Sequence, residues 1–468
     1  MNSPIIAYRA NMVVQTSAPF ANTYSLSFDG IDDKVSIGTA LDLGINSTLS
    51  FWIKRGRVST SEVWFGEDSY SSDYLVTITS STVLYFRINT SYVGWNYPAV
   101  KTILNNTTEW VNVCIVRNGN SVELFLNGIS YGTGNSNAGT PGATVTRFDT
   151  IGASPYGLHT LAQFDEIAAW NNNTVNPVDI YNLGTPTDLN LLPTPPLNWY
   201  RMGDNGSWKS PQWLIPNNEN KDKVSNYSLD FDAVDNYVSV SDNSIGQTQN
   251  ISYSIWVNLD VTTRQYIIGN QSSSNGGCGL QIESGDVLVF QMADGGNDSY
   301  FNSRVANFST YAPINTWNHI LATWNGTDAK IYINGVLRNT WSPTLPYTIS
   351  GYDTTFNIGW RSAGFQYMTN GRLDELALFD SGISVGDVWD GSGQPIDVSA
   401  VSGITNYWKI GDNSTFLTNW TVPDEVGTST GTSANMTIED RIGEAPSSEN
   451  NAVSFNMDEV DRVTDVPT

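Results

Sequence analysis

The chain has 468 residues, of which 40% are hydrophobic, 12% aromatic and only 15% charged. This apolar content can fill a core and excludes global disorder, and the length fits two to four domains. The formal net charge of −24 disfavours binding to nucleic acid and to anionic lipid, because both carry negative charge. The 40 glycines and the scarcity of charged residues favour a β-rich protein with many tight turns.

Residues 1–19 are apolar for a free tail and are predicted to form an N-terminal arm. The arm either packs on its own domain or adds a strand to a neighbouring subunit, since an unpaired sheet edge invites such pairing. No charged region followed by a long apolar stretch occurs here, so we expect no signal peptide and no membrane insertion. Two cysteines are too few for a disulfide scaffold, which fits folding in a reducing cytosol.

The next segments, 20–200 and 227–413, are predicted to be two copies of one domain, with 201–226 as a connector. YSLSFDGIDDKVSI (24–37) recurs as YSLDFDAVDNYVSV (227–240), and five further motifs recur in the same order at offsets of 203 to 209 residues. A period this long is too long for a solenoid repeat and indicates a duplicated whole domain.

Within each copy the apolar residues alternate with polar ones, as in the first strand, where Leu26 and Phe28 point to one face. The Asn-Gly pairs at 127–128 and 334–335 predict hairpins with two-residue type I′ turns. Many short strands imply two packed sheets, so the predicted fold is all-β, with two tandem antiparallel β-sandwich domains of the jelly-roll kind. Short helical turns are expected near 177–184 and 385–391.

The remaining residues, 414–468, are predicted to be a C-terminal extension that starts with a long loop. NAVSFNMDEVDRVTDV (451–466) is similar to FDGIDDKVSI (28–37) with one residue inserted. This stretch is either the first strand of a truncated third copy or a strand that completes the second module, and the sequence leaves both alternatives open.

The ordered motifs FDGIDDKV, FWIK, EWVNV, FLNGI, TIGAS and FDEIAAWN, with their counterparts in the second copy, resemble laminin-G-like jelly-roll domains of the concanavalin A-like group. The resemblance covers about residues 20–200 and 225–400. Ala233 departs from it where the first copy has Gly30, and two tails ending in Gly-Asp-Asn (199–205 and 407–413) extend each module. Tandem modules with such tails also resemble structural proteins of marine bacteriophages.

Enzymes of this fold would carry a carboxylate constellation close to ExDxxE on one strand, and the chain has no such string. The adjacent acids of FDEIAAW and LDELALF are expected to point to opposite faces of their strands, where they cannot flank one bond. The two histidines, His159 and His319, lie at non-matching positions, and the chain contains no HExxH or phosphate-loop motif. We therefore expect no enzymatic activity.

The resemblance implies a structural calcium between the first strand and the strand that carries the Asp-Glu pair. It assigns Asp29 with Asp165 in the first copy and Asp232 with Asp374 in the second. Hard cations prefer several oxygen ligands, which carboxylates beside turns supply. The alternative is that these acids only cap solvated turns.

Glycan binding would need exposed aromatic rings on loops, because sugar faces stack on flat rings. The candidates are Tyr92, Trp95, Tyr97 and Tyr156 in the first copy and Trp341, Tyr352, Trp360 and Tyr367 in the second. The alternative is that these rings belong to the core or its rim. Since the loop aromatics differ between copies, we expect the modules to differ in specificity, or one alone to be active.

The leading functional hypothesis is a non-enzymatic virion surface protein of a bacteriophage, such as a capsid decoration, a fibre or another appendage. It would be made in the host cytoplasm, and its partners would be other virion proteins, copies of itself and surface glycans. One alternative is an extracellular carbohydrate-binding or adhesive protein of a bacterium, exported without a leader. The other is a glycan-cleaving enzyme with unrecognised catalytic acids.

Overall fold

The computed structural model describes residues 20–67, 74–88, 91–136, 141–154, 157–218, 223–241, 245, 248–271, 276–294, 300–343, 348–361 and 367–467. The predicted N-terminal arm and Tyr156 lie outside these residues. The described chain forms four antiparallel sheets, two for each module, which confirms the predicted all-β class of two tandem sandwiches. Among the described residues, no helix combines the length and apolar character that crossing a bilayer requires.

The first module contains, in chain order, strands β1 (Ser25–Asp29), β2 (Lys34–Asp42), β3 (Asn46–Arg55), β4 (Glu62–Gly66), β5 (Tyr74–Ile78), β6 (Leu84–Ile88), β7 (Ser91–Trp95), β8 (Val111–Asn118), β9 (Ser121–Leu126), β10 (Ile129–Thr133), β11 (Asn135–Ser136), β12 (Arg147–Ile151), β13 (Leu161–Trp170), β14 (Asn198–Tyr200), β15 (Ser207–Lys209) and β16 (Gln212–Ile215). One sheet has the order β10-β9-β8-β3-β13-β1, and the other runs β11-β7-β6-β5-β4-β12-β2. The helices of this module are α1 (Pro98–Leu104), α2 (Pro177–Tyr181) and two 3-10 turns, Asn182–Gly184 and Leu189–Leu191.

The second module repeats this plan with strands β17 (Ser228–Asp232), β18 (Tyr237–Val240), β19 (Ile251–Leu259), β20 (Gln265–Gln271), β21 (Gly276–Glu283), β22 (Val287–Asp294), β23 (Tyr300–Ala306), β24 (Asn318–Trp324), β25 (Ala329–Ile333), β26 (Val336–Trp341), β27 (Tyr352–Ile358), β28 (Asn370–Phe379), β29 (Ile404–Trp408), β30 (Thr415–Phe416), β31 (Trp420–Val422), β32 (Gly431–Ala434) and β33 (Arg441–Ile442). Its sheets run β26-β25-β24-β19-β28-β17-β33 and β23-β22-β21-β20-β27-β18-β32-β31-β30. Its helices are α3 (Phe308–Tyr311) and the 3-10 turns Val385–Asp387 and Ile438–Asp440.

Local sequence signals account for much of this architecture. Leu26 and Phe28 are both fully buried, as the alternation in the first strand predicts. At the hairpin turns, Asn127 and Gly128 have φ values of 52° and 73°, and the equivalent Asn-Gly pair in the second copy has 49° and 77°. Positive φ at both positions fits the predicted type I′ turns. The helical turns expected near 177–184 and 385–391 are also present.

The predicted connector and C-terminal loop are instead parts of the sandwiches. β15 and β16 lie within 201–226 and extend the second sheet of the first module. The stretch after 413 supplies β30 to β33, which widen both sheets of the second module. Strands of two to four residues carry too few side chains for a recognisable alternation, which explains why the sequence reads as loop.

The last described residues return to the first module. β34 (Ala452–Phe455) pairs with β2 on one side and β16 on the other, and β35 (Arg462–Val463) pairs with β1. Residues 451–466 therefore lie neither in a truncated third copy nor in the second module, and both alternatives drawn from the sequence are corrected. Without β34, nothing among the described strands would join the β15–β16 hairpin to its sheet.

A second repeat, with an offset of 21 residues from Gly431 to Ala452, underlies this arrangement. We call GTSANMTIEDRIGE (431–444) the inner clasp and AVSFNMDEVDRVTD (452–465) the outer clasp. The two share Ser, Asn, Met, Asp and Arg at matching positions. Through β32 and β33 the inner clasp pairs with β18 and β17 of the second module, as the outer clasp pairs with β2 and β1 of the first.

The two clasps make matching contacts. Ser454 Oγ accepts the backbone N–H of Trp213 at 2.7 Å, and Ser433 Oγ accepts that of Trp420, also at 2.7 Å. Arg462 of the outer clasp lies over the indole of Trp213, 5.2 Å from the ring centroid. Arg441 of the inner clasp lies in the same way over the indole of Trp420, at 5.1 Å. The two clasps therefore occupy equivalent grooves, one in each module.

Truncating the buried methionine of one clasp should loosen one module only. Met457 is 2% exposed in the first core, and Met436 is 3% exposed in the second. Each Met→Ala substitution removes buried apolar atoms and leaves a cavity, at a cost of about 2–5 kcal/mol. We expect Met457→Ala to speed amide hydrogen exchange in the first module and Met436→Ala to speed it in the second, as measured by mass spectrometry. Faster exchange of the second module alone in Met457→Ala would contradict the pairing.

Candidate functional site

Each module buries an acidic triad at the point where a ten-residue central strand, β13 in the first module and β28 in the second, changes partner. β13 pairs with β1 through Leu161–Phe164 and with β14 through Ile167–Ala169. Between these stretches Glu166 adopts a φ of 48°, which produces a bulge. Asp165 and Glu166 are consequently both buried, at 0% and 3% exposure. The expectation that adjacent acids point to opposite faces therefore fails, because it assumes a regular strand.

The first triad consists of Asp165, Glu166 and Asp204, whose nearest carboxylate oxygens all lie within 4.8 Å of one another. Asp204 comes from the Gly-Asp-Asn tail, and its Oδ1 accepts the backbone N–H of Thr23 at 2.9 Å. Arg201 pairs with Glu166 at 3.0 Å. Asp165 Oδ2 is buried and has no donor in good hydrogen-bonding geometry among the described residues, although the nearby Asn22 side chain acts to lower the pKa of Asp165.

The second triad repeats the first with Asp374, Glu375 and Asp412, again within 4.8 Å. Here the hydroxyl of Tyr407 donates to Glu375, as the indole of the equivalent tryptophan does in the first module. Asp412 Oδ2 accepts the backbone N–H of Asn226 at 2.8 Å. Glu375 Oε1 is buried without a donor among the described residues, so each triad contains one unpaired oxygen.

Burial dominates the acid–base behaviour of both triads. It raises the pKa of Glu166 to about 7 and that of Glu375 to about 8, and it raises the pKa values of Asp165 and Asp374 well above their usual range. The ionised carboxylates lose solvation and repel one another, so the charged form is disfavoured. Each triad therefore favours either a proton or a cation, and its oxygen-only donor set fits a hard cation such as calcium.

The predicted calcium pairs are not formed. Asp29 lies opposite Leu161 in the ladder, so Asp165 is four residues further along, about 13 Å away at the usual rise per residue. Asp29 Oδ1 instead accepts the backbone N–H of Ile31 at 2.7 Å and thereby caps its turn. One ion cannot bridge two carboxylates at this separation.

The calcium pair predicted for the second module is not formed either. Asp232 lies opposite Asn370, again four residues from Asp374, and its Oδ1 accepts the backbone N–H of Val234 at 2.9 Å. The residues that sequence reasoning missed are the tail acids Asp204 and Asp412. The recurring Gly-Asp-Asn motif was the signal that could have revealed them.

In the first module, the glycan-binding candidates that the structure describes are mostly integral to the sandwich. Trp95 is fully buried, and its indole N–H donates to the carbonyl of Gly132 at 2.9 Å. Tyr97 packs against the core, and half-buried Tyr92 makes an edge-to-face contact with Tyr85 at 5.2 Å. The positions of these rings support the alternative that they belong to the core or its rim and not to a glycan site.

In the second module, Trp341 and Tyr352 pack against the core. Trp360 and Tyr367 belong to an aromatic patch at one end of the sheet that contains β27. The patch, as we define it, consists of Tyr237, Tyr266, Trp360 and Tyr367. Trp360 lies 4.6 Å from Tyr237, and Tyr367 lies 6.5 Å from Tyr266, between ring centroids.

Two arginines lie beside rings of the aromatic patch. The Arg264 guanidinium lies 4.4 Å from the ring centroid of Tyr367, which is 37% exposed. Arg361 donates to the hydroxyl of Tyr266 at 2.7 Å. The first module has Lys34 and Ala153 at the positions of Tyr237 and Trp360 and therefore lacks this patch.

Residues 29–180 and 232–388 match the model of the Laminin_G_3 family, described as the concanavalin A-like lectin/glucanases superfamily. No curated protein matches the chain in sequence. Similar solved structures include domains LG4-5 of the mouse laminin alpha1 chain, with 12% identity, a TM-score of 0.29 and coverage of 80% of this chain and 93% of that chain. Another is a Bacteroides ovatus protein described as a candidate carbohydrate binding protein, with 13% identity, a TM-score of 0.36 and coverage of 87% and 93%.

A third similar structure is the CBM40 domain of the Ruminococcus gnavus IT-sialidase, with 12% identity, a TM-score of 0.30 and coverage of 34% of this chain and 91% of that chain. Likeness at this level of identity concerns the fold alone. The family matches cover both modules and more than half of the chain. The protein therefore belongs to the concanavalin A-like lectin/glucanase superfamily, with one lectin-like domain in each half.

Proposed function

We propose that the protein is a non-enzymatic, glycan-binding protein of a virion surface, and that its second module holds the glycan site. The observation that carries the glycan assignment is the aromatic patch, in which the partly exposed rings of Tyr237, Trp360 and Tyr367 lie beside the half-buried Arg264, while Tyr266 and Arg361 are buried beneath them. Flat rings offer stacking surface to a sugar face, while guanidinium groups donate hydrogen bonds to its hydroxyls. The absence of equivalent rings from the first module agrees with the expectation that the modules differ in specificity or that one alone is active.

The non-enzymatic assignment draws support from the burial of the candidate acid–base groups. Glu166 and Glu375 are 3% and 4% exposed, and each accepts a hydrogen bond from a buried aromatic side chain. Burial lowers the pKa of His319 to about 3, so this imidazole is neutral at neutral pH. Groups enclosed in this way do not meet a substrate, and general acid–base catalysis requires contact with the reacting atoms.

The virion assignment rests on the resemblance to bacteriophage structural proteins, and it accounts for lectin-like modules without disulfides. A virion protein folds in the reducing cytosol of its host and then works outside the cell. Copies of the protein and other virion proteins would be its partners. Co-purification with a phage particle would support this assignment, whereas glycan binding by a protein that never joins a particle would favour the extracellular bacterial alternative.

We further propose that each acidic triad binds calcium. The unpaired oxygens of Asp165 and Glu375 support this, because a buried anionic oxygen without a donor is costly unless a proton or a cation meets it. Calcium there would join the bulge of the central strand to the Gly-Asp-Asn tail and to the start of the first strand. Its role would be to stabilise the sandwich.

Removing the rings of the aromatic patch should weaken glycan binding. We expect Trp360→Ala and Tyr367→Ala each to lower the affinity for a bound glycan at least about tenfold, since losing one well-placed aromatic anchor costs more than about 1.4 kcal/mol. A glycan array identifies the ligand, and titration calorimetry measures the affinity. Tyr92→Ala in the first module is the matched control. Loss of binding in the control, with full binding in both patch variants, would contradict the assignment.

Calcium should stabilise the protein more at pH 8 than at pH 5. The raised pKa values mean that protonated triads favour folding at low pH, and this contribution is lost as the pH rises through about 7 and 8. At pH 8, calcium at a hundredfold excess over its Kd should add about 2.7 kcal/mol, or roughly 5–10 °C in Tm, by scanning calorimetry against EGTA.

Asparagine variants test the same triads. Asp374→Asn resembles the protonated acid, so we expect it to reduce the calcium response of the second module and to raise its Tm in EGTA at pH 8. Asp165→Asn should act in the same way on the first module only. An unchanged calcium response in both variants, or none in the wild type at pH 8, would contradict calcium binding at the triads.

A further inference from the structure

The junction between the two modules consists of two parts that face each other across a cavity of about 770 Å³. The first part is the tip of the β15–β16 hairpin, residues 209–212, which we call the tip of the first module. The second is the receiving surface of the second module, which we define by Asp230, Asp260 and Trp317. Lys209 joins the two parts, because its Nζ pairs with Asp230 at 2.5 Å and with Asp260 at 3.1 Å. Residues 443–453 close one side of the junction.

The duplication gives the second module a tip of its own. GSWKSPQWLIP (206–216) aligns with STFLTNWTVP (414–423), so the equivalent hairpin is β30–β31 with its tip at 417–419. The ring pair at the base of the hairpin recurs, with centroids 5.6 Å apart in the first module and 5.1 Å apart in the second. Leu417 takes the place of Lys209 and is 89% exposed, so this tip projects into solvent.

The first module in turn has a receiving surface, defined by Ser27, Gly56 and Trp110. Ser27 and Asp230 occupy the same register position opposite β13 and β28. Gly56 and its counterpart in the second module each donate their backbone N–H to the residue two positions before that register partner. Gly56 is exposed, and Ser27 and Trp110 are half-buried. The described part of the chain places no hairpin tip on this surface.

The charges of the two free parts have changed together. The junction uses one lysine and two aspartates, whereas Leu417, Ser27 and Gly56 at the equivalent positions are all uncharged. A lysine on the free tip would lose solvation against this surface without gaining a counter-ion. The other charges there, Lys54 and Asp465, already pair with each other at 2.6 Å. The free tip of one copy therefore fits the free surface of another without leaving a charge unpaired.

We propose that the protein associates head to tail, with the tip of the second module of one copy on the receiving surface of the first module of the next. The occupant is a second copy, because the chain already forms the equivalent contact between its own modules. Such a contact is heterologous and leaves one tip and one surface free, so it continues into a fibre unless a ring closes. It lacks the segment 443–453, so we expect it to be weaker than the junction and to depend on concentration.

This inference assigns a surface to the copies of the chain that the proposed function names as partners, and to that extent it rests on that function. It requires neither the aromatic patch nor calcium. Its test uses purified protein without phage or glycan, whereas the virion assignment is tested by co-purification with a particle. Failure of one therefore remains distinct from failure of the other.

Sedimentation velocity of the full-length protein over a concentration series, in about 0.15 M salt, measures the association. We expect the wild type to form larger species as its concentration rises. Leu417→Lys places a cation against an uncharged surface, and Ser27→Asp places a carboxylate against an apolar tip, so each should weaken association at least about tenfold. Leu191→Lys, at a position that is 77% exposed and belongs to neither part, is the matched control and should associate like the wild type.

The double variant Leu417→Lys/Ser27→Asp recreates the lysine–aspartate pair of the junction between copies, so it should recover association. An equimolar mixture of the two single variants should also recover it, because each supplies the part that the other lacks. A wild type that stays monomeric at every concentration would overturn the proposal, as would equal association of the wild type and Leu417→Lys. Association that appears only after removal of residues 2–19 would show that the N-terminal arm occupies the surface, and would reject a second copy as the occupant.

Discussion

The pairing of β34 between β2 and β16 is the interaction on which the arrangement of the molecule depends. A strand near the C-terminus completes a sheet that starts near the N-terminus, so the chain must pass back across the second module to reach it. The segment between the clasps is therefore held at both ends, and it forms one side of the inter-module cavity. The sequence does not reveal that the first module depends on β34, because each of the two repeats contains the motifs of a whole domain.

The bulges at Glu166 and Glu375 represent a second constraint. At each bulge the central strand exchanges one neighbour for another, and the Gly-Asp-Asn tail returns to bond the backbone just before the first strand. The geometry places three carboxylates together away from water, which is unfavourable unless protons or cations neutralise them. The duplication has kept this arrangement while the neighbouring cation changed from Arg201 to Lys409.

Sequence reasoning succeeded where the signal is local. The alternation around Phe28, the Asn-Gly turn at 127–128 and the duplication itself depend on neighbouring residues or on direct comparison. It failed at β34, because a strand of four residues does not specify its partner, and the choice of groove is a tertiary effect. It also failed at Trp95, since a ring in a predicted loop gives no sign that it faces the core. The acidic triads were missed because a positive φ at a glutamate cannot be foreseen from strand periodicity.

The position of the outer clasp affects how the protein is made. During synthesis the ribosome produces the second module before the strand that closes the first, so the first sheet stays open until the outer clasp has emerged. Domains usually fold in N-to-C order as they emerge, but here the first module receives its last strand only after the second module has been synthesised. Nascent chains on one messenger would expose the same open groove side by side, and strand exchange between them is the misassembly that this topology makes easiest.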